Sequence, residues 1–263
     1  MKKEQFRNIL YGGIIGDAMG VPYEFKKQGT FEVVPDMIGY GTYNQKPGTW
    51  SDDTSLTLIL MECLKTGSAP ESYLDKLELY YHEGYMTPDD VCFDIGIATL
   101  SAMKGTPSIE SLGNGALMRA SPLVYFTWDM SEKERSKEIT KWSAITHPNP
   151  ASSEVCIRYV EFMRSLITKG IDDFKQQSQK EYFKPGSNGM VIDSFLTAVW
   201  ALHEFDNYPD IIVNTISLGG DTDTNAMIAG TMAGAVYPIS QDWFDKLRRK
   251  DIIEGVISSF TGE

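Results

Sequence analysis

The sequence predicts an all-α fold, a single compact helical domain over residues 1–263, on three observations. Apolar residues recur at three- and four-residue spacing through most of the chain. Alternating strand patterns are scarce, and Phe31 to Val34 is the only fair candidate. No repeat of fixed length and no linker-like boundary divides the chain.

Taken in order, Phe6, Ile9, Leu10, Gly13 and Ile14 set out a first helix that ends near Gly16-Asp17-Ala18-Met19-Gly20. Residues 21–50, with Pro22, Pro35 and Pro47, read as a long loop of the kind that is functional or mobile. A helix then carries Leu56, Ile59, Leu60, Cys63 and Leu64 on one face. Pro70 and Glu71 open another, with Leu74, Leu77 and Tyr81 directed inward. A short helix follows Phe93-Asp94-Ile95-Gly96 and runs to about Lys104, and residues 111–116 form a glycine-punctuated turn. Ser131 and Glu134 form a capping box for a helix reaching about Ala144. A long helix through Val155, Tyr159, Phe162 and Leu166 follows the break at Thr146-His147-Pro148-Asn149-Pro150. Lys175 to Gly189 is polar and reads as surface. Val191, Ile192, Phe195, Val199 and Leu202 form a strong helix, and Pro209 starts one ending at Leu218. Two more carry Trp243 to Leu247 and Ile252 to Ile257.

A net charge of −12, from 36 acidic and 24 basic residues, repels polyanions over most of the surface. Nucleic acid is therefore not an expected partner, although a local phosphate site is compatible with this balance. Cys63, Cys92 and Cys156 are widely separated and form no CxxC, so they read as buried thiols in a reducing compartment. The start lacks the apolar run of a signal peptide, and no apolar segment reaches the roughly 18 residues of a membrane span. A cytoplasmic monomer is expected.

The chemistry concentrates in two stretches. Leu218-Gly219-Gly220-Asp221-Thr222-Asp223-Thr224-Asn225 packs two carboxylates and two hydroxyls behind a glycine pair, ahead of the small apolar run Ala226 to Val236. Ser51-Asp52-Asp53-Thr54 repeats the pattern upstream. Inside a helix, neighbouring Asp side chains point about 100° apart and cannot share a ligand. At helix starts they can converge, where amide dipoles favour negative charge. Four carboxylates gathered without a cation would repel and raise one another's pKa. Oxygen-only ligands suit a hard cation such as Mg²⁺ or Mn²⁺. Two unrelated N-caps on opposite sides of the protein would leave the same sequence. A haloacid-dehalogenase motif, an EF-hand loop and the glycine-rich nucleotide loops are all absent.

Five blocks in order then become specific. Gly16-Asp17-Ala18-Met19-Gly20-Val21-Pro22-Tyr23-Glu24, Ser51-Asp52-Asp53-Thr54, Gly113-Asn114-Gly115-Ala116-Leu117-Met118-Arg119, Thr146-His147-Pro148 and Gly219-Gly220-Asp221-Thr222-Asp223-Thr224 together resemble the ADP-ribosylglycohydrolase family. The resemblance implies an orthogonal all-α domain with a two-metal site for Mg²⁺ or Mn²⁺. Its ligands would be Ser51, Asp52, Asp53, Asp221, Asp223 and Thr224, with Glu24 close to the second metal. Ser51 stands where the family usually has Thr, so a hydroxyl is kept. Ser111, Gly113, Asn114, Gly115 and His147 match positions that hold the diphosphate or adenosyl side of ADP-ribose. Asp94 matches an acidic residue near the scissile bond, and Glu24 or Asp94 would act as general acid or base. Leu112 and Ile97 depart from family positions on the leaving-group side.

The implied activity is metal-assisted hydrolysis of an N- or O-glycosidic bond at the ribose anomeric carbon. The substrate would contain ADP-ribose, attached to a protein side chain or another conjugate. A non-catalytic relative that keeps the fold, such as a lens crystallin, and a hydrolase of small ADP-ribose conjugates are the alternatives; intact metal-ligand positions favour an enzyme.

Overall fold

A computed structural model describes residues 1–177 and 185–262, and its regular structure is helical throughout. In chain order the helices are α1 (Lys3–Gly20), α2 (Asp52–Thr66), α3 (Glu71–Glu83), α4 (Ile97–Met103), α5 (Ser121–Phe126), α6 (Glu132–Ser143) and α7 (Pro150–Lys169). They continue as α8 (Ile171–Gln177), α9 (Val191–Glu204), α10 (Tyr208–Ile216), α11 (Thr222–Gly234), α12 (Gln241–Lys246) and α13 (Lys250–Thr261). Among the described residues no helix is long and apolar enough to cross a membrane.

α11 is the axis of the molecule. All of its residues are buried, from Thr222 to Gly234, as expected of a helix without a polar face. α1 lies along it, with α9 and α10 on its other sides. The α1–α11 approach is close because small residues face one another: a Cβ on Gly16 would collide with the Ala226 carbonyl, and one on Gly20 with the Asp223 backbone. That proximity brings Asp17, in the last turn of α1, to the first turn of α11. Gly230 and Gly234 also pack tightly, against Gly12 and Asn8.

Several expectations need correction. Phe31 to Val34 forms no strand; among the described residues only isolated bridges occur, Lys27 with Gly219, Tyr40 with Gln45 and Gly113 with Met190. On α3 the inward residues are Tyr73, Leu77 and Tyr80, while Tyr81 is exposed and Leu74 half-buried. Ile192 is exposed on α9, and α10 stops at Ile216. The stretch Lys175 to Gly189 lies at the surface where it is described: Lys175 to Gln177 end α8, residues 178–184 lie outside the described residues, and none of residues 185–189 is buried. Gly189 also lines the site. The Ser131–Glu134 capping box is present, and the long helix α7 begins at Pro150 with Asn149 as its cap. Cys63 and Cys156 are buried free thiols, whereas Cys92 is half-buried.

Candidate active site

α2 and α11 begin at the same place. Ser51 caps α2 by accepting the Asp53 N–H at 3.3 Å. α11 is different: Asp221 occupies its N-cap position but makes no capping bond there. Its Oδ2 instead accepts the Asn114 amide at 2.8 Å, across from the glycine turn. The two starts are tied directly, since the Thr224 hydroxyl donates to Asp53 Oδ2 at 3.1 Å and the Ser51 hydroxyl donates to the same oxygen at 3.2 Å.

Asp17 supplies the third corner. Its carboxylate accepts the Ser51 N–H at 2.9 Å, the Thr54 N–H at 3.1 Å and the Thr54 hydroxyl at 2.5 Å. Asp17 is thus an internal hydrogen-bond acceptor that ties the end of α1 to the start of α2. It is more than that, because one oxygen each from Asp17, Asp53 and Asp223 lie within 4.8 Å of one another. Glu24, Asp94 and Asp223 form a second such group, so Asp223 is common to both. Asp52 and Asp53 point to different partners: Asp53 toward Thr224 and Asp17, Asp52 toward the Gly96 N–H at 3.3 Å.

Burial sets the electrostatics. It is the first cause pushing Asp52, Asp53 and Asp223 well above the carboxylate range, and the charges of neighbouring carboxylates, Asp17 among them for each, add to it. Asp221 and Asp94 are raised by burial as well. Burial lifts Asp17 to about 6 against its hydrogen bonds from Thr54 and Ser51. Glu24 is pushed to about 8, by burial first and then by the charges of Asp94 and Asp221, opposed by the nearby Tyr43 phenol. The same phenol, from the 21–50 loop, also lies beside Asp94 and opposes the rise there. Asp53 Oδ1 and Glu24 Oε2 are buried without any hydrogen-bond partner.

A cavity of about 470 Å³ opens over this cluster, lined by Glu24, Asp52, Asp94, Asp221 and Thr224 at the acidic end. Its size is ordinary for a small-molecule site. Ser111, Gly113, Asn114, Gly115 and His147 line the cavity too. Ser51, Asp53 and Asp223 lie beneath, buried. Asn114 donates to Ser194 Oγ at 2.9 Å, and its own N–H is held by the Gly189 carbonyl at 3.0 Å. The Asp221 N–H is held by Ser187 at 3.0 Å. Gly220 makes this possible at φ +71, where a Cβ would strike the Ser187 carbonyl.

His147 packs its ring against the turn, with Gly113 and Gly115 beneath Nε2. Arg119 is not among the described residues lining the cavity. It is buried under the Tyr73 ring and donates to the Trp142 carbonyl at 3.2 Å and to Thr146 Oγ1 at 2.8 Å. Thr146, accepting there, has its own proton free for His147 Nδ1, 2.8 Å away. That order leaves Nε2 carrying the ring proton toward the glycine turn. Burial, helped by Arg119, depresses the imidazole to about 3, so it is neutral.

The sequence profile described as ADP-ribosylglycohydrolase matches residues 1–263. The chain belongs to the ADP-ribosylglycohydrolase family. It is similar to an ADP-ribosylarginine hydrolase of Serratia proteamaculans, 29% identical over 96% of this chain and 78% of that one. It is also similar to the ADP-ribosyl-(dinitrogen reductase) glycohydrolase of Rhodospirillum rubrum, 24% identical over 91% of this chain and 88% of that one. A solved structure, an ADP-ribosylglycohydrolase-related protein complex, superposes with a TM-score of 0.81 at 24% identity, covering 99% of this chain and 98% of that one, and it shows the same fold. As an ADP-ribosylglycohydrolase the chain is an enzyme of the glycosyl hydrolase class.

Sequence reasoning missed three contributions to this cluster. Tyr43 carried no motif. Ser187 and Gly189 sat in a polar stretch without periodicity. Asp17 lay inside a quoted block, and its position one turn from a helix end was the signal available.

Proposed function

We propose that the chain is a divalent-cation-dependent hydrolase that cleaves the glycosidic bond joining ADP-ribose to an acceptor, releasing ADP-ribose. The observation that supports this best is the set of buried carboxylates beneath one cavity, with oxygens of Asp53 and Glu24 left unpartnered. Buried oxygens without donors are costly unless a cation satisfies them. The donor set is all oxygen, which fits Mg²⁺ or Mn²⁺. Ser51, Asp52, Asp53, Asp221, Asp223 and Thr224 would hold two such ions, with Asp17 and Glu24 beside them. When bound, the ions supply Lewis acidity and compensate the carboxylate charge.

The chain's own groups divide the remaining work. Asn114, Ser111 and the Gly113–Gly115 turn form the floor on which the diphosphate and adenosyl side would rest. His147, neutral with its proton on Nε2, gives that floor a donor without adding a charge. Glu24 and Asp94, with Tyr43 beside both, carry the proton transfers at the scissile bond. The Serratia relative is named for ADP-ribosylarginine, so an arginine linkage is the first to test.

The experiment measures ADP-ribose released from arginine-, serine- and nucleic-acid-linked substrates with Mg²⁺ present. Release is expected from at least one, and Asp94→Asn should slow it by roughly 10²- to 10⁴-fold, the usual worth of a general acid or base. A protein shown to bind the cation that releases nothing from any of the three would end this reading.

A further inference from the structure

Phe25 combines three unfavourable choices. Its backbone φ is +62, in the left-handed region that an aromatic residue rarely occupies. Its ring is 71% exposed, so burial does not offset that strain. The conformation is nonetheless pinned, because the Phe25 N–H donates to the Gly220 carbonyl at 2.7 Å, immediately before Asp221. Strain held in place beside a site is a signal of function.

The ring lines the same cavity as Asp52, Asp94 and Asp221. Two half-buried rings outside the cavity lining lie beside it: Phe25 and Tyr43 centroids are 6.4 Å apart, and Tyr43 and Phe93 are 5.1 Å apart. Ile97, 85% exposed, lines this cavity too. No Lys or Arg is among its described lining residues. The neighbouring cation, Lys26, has its Nζ over the Tyr23 and Phe31 rings, 5.0 and 5.8 Å from their centroids. The exposed Phe25 residue therefore shares its cavity with carboxylates and with no described Lys or Arg.

We propose that Phe25 determines acceptor specificity by stacking on a planar cationic leaving group, a guanidinium, while Asp94 faces its charge. Guanidinium suits both contacts, since it stacks on aromatic faces and pairs with carboxylates. A serine acceptor offers neither. The inference rests on the hydrolase reading and adds the class of leaving group to it.

The test uses Phe25→Ala, Phe25→Gly and Phe25→Tyr in the full chain with Mg²⁺. KM for ADP-ribosylarginine should rise roughly two- to fivefold in the Ala and Gly variants, the size of one exposed cation–π contact. The Kd for free ADP-ribose and the KM for any serine-linked substrate should stay unchanged, and Phe25→Tyr should restore KM. Phe25→Gly should melt no lower than wild type, because glycine accepts this φ without strain, so a KM change in it is not loss of fold. An unchanged KM in Phe25→Gly, or an equal loss of free ADP-ribose affinity, overturns the proposal. Wild-type protein active on serine-linked but not arginine-linked substrate overturns it while leaving the hydrolase reading. Wild-type protein inactive on every linkage overturns both.

Discussion

Raising the pH from 6.5 to 8 in the presence of a chelator should destabilise the protein. Glu24 has a folded pKa of about 8 against an ordinary value of 4.5. The folded state therefore holds a proton that the unfolded chain has already lost, and stability falls as pH rises toward the folded value. From pH 6.5 to 8 the loss from Glu24 alone is about 2 kcal/mol, at 1.36 kcal/mol per unit and with the curve flattening near the pKa. Asp52, Asp53 and Asp223, also raised by burial, act in the same direction. His147 acts oppositely, because its folded pKa is depressed to about 3 and stability is gained as pH rises toward its ordinary value of 6.5. That contribution is largely complete at pH 6.5, which is why the window starts there. Asp89, lowered to about 2 by Arg248, titrates well below the window. For a chain of this length 2 kcal/mol corresponds to roughly 4–8 °C in Tm. Thermal melts followed by circular dichroism at pH 6.5, 7.2 and 8.0 measure it, and Mg²⁺ should abolish the decline. A Tm that holds level or rises with pH in chelator would refute the buried-carboxylate argument.

Two substitutions probe the supports. Gly16→Ala places a Cβ against the Ala226 carbonyl, so urea denaturation should show a loss at the upper end of about 1–3 kcal/mol; a loss under about 0.5 kcal/mol, within the range of an ordinary surface change, would contradict the tight α1–α11 contact. Thr146→Val removes the hydroxyl between Arg119 and His147. It should cost about 1–3 kcal/mol and lower the Nε2–H population of His147 seen by nitrogen-15 NMR, whereas an unchanged tautomer would show that Thr146 does not set it.

The helices were legible because their apolar residues repeat and their ends carry caps and prolines, as at Ser131–Glu134 and Asn149–Pro150. The inward face of α3 was not. Leu74, Leu77 and Tyr81 and the true set Tyr73, Leu77 and Tyr80 both satisfy helical spacing, and only the neighbouring helices choose between them. Phe31 to Val34 alternates as a strand does but meets no partner strand. The paired acidic helix starts could be read as one site because each carries the same unusual density of carboxylates. Tyr43 and Gly189 could not, since each acts through a long-range contact that leaves no local pattern. Arg119 lies inside a quoted block, yet its charge is spent inside, on a carbonyl, a hydroxyl and a ring, contacts that no local pattern announces.

The most direct test of the central claim is ADP-ribose release from ADP-ribosylarginine, measured on chelated protein before and after addition of Mg²⁺ or Mn²⁺, alongside Asp223→Asn. Asp223 is shared by both carboxylate groups. Release that is negligible in chelator, restored by the cation in wild type, and lost in a folded Asp223→Asn variant is the predicted result. Equal release with and without the cation, or an Asp223→Asn variant as active as wild type, would contradict it.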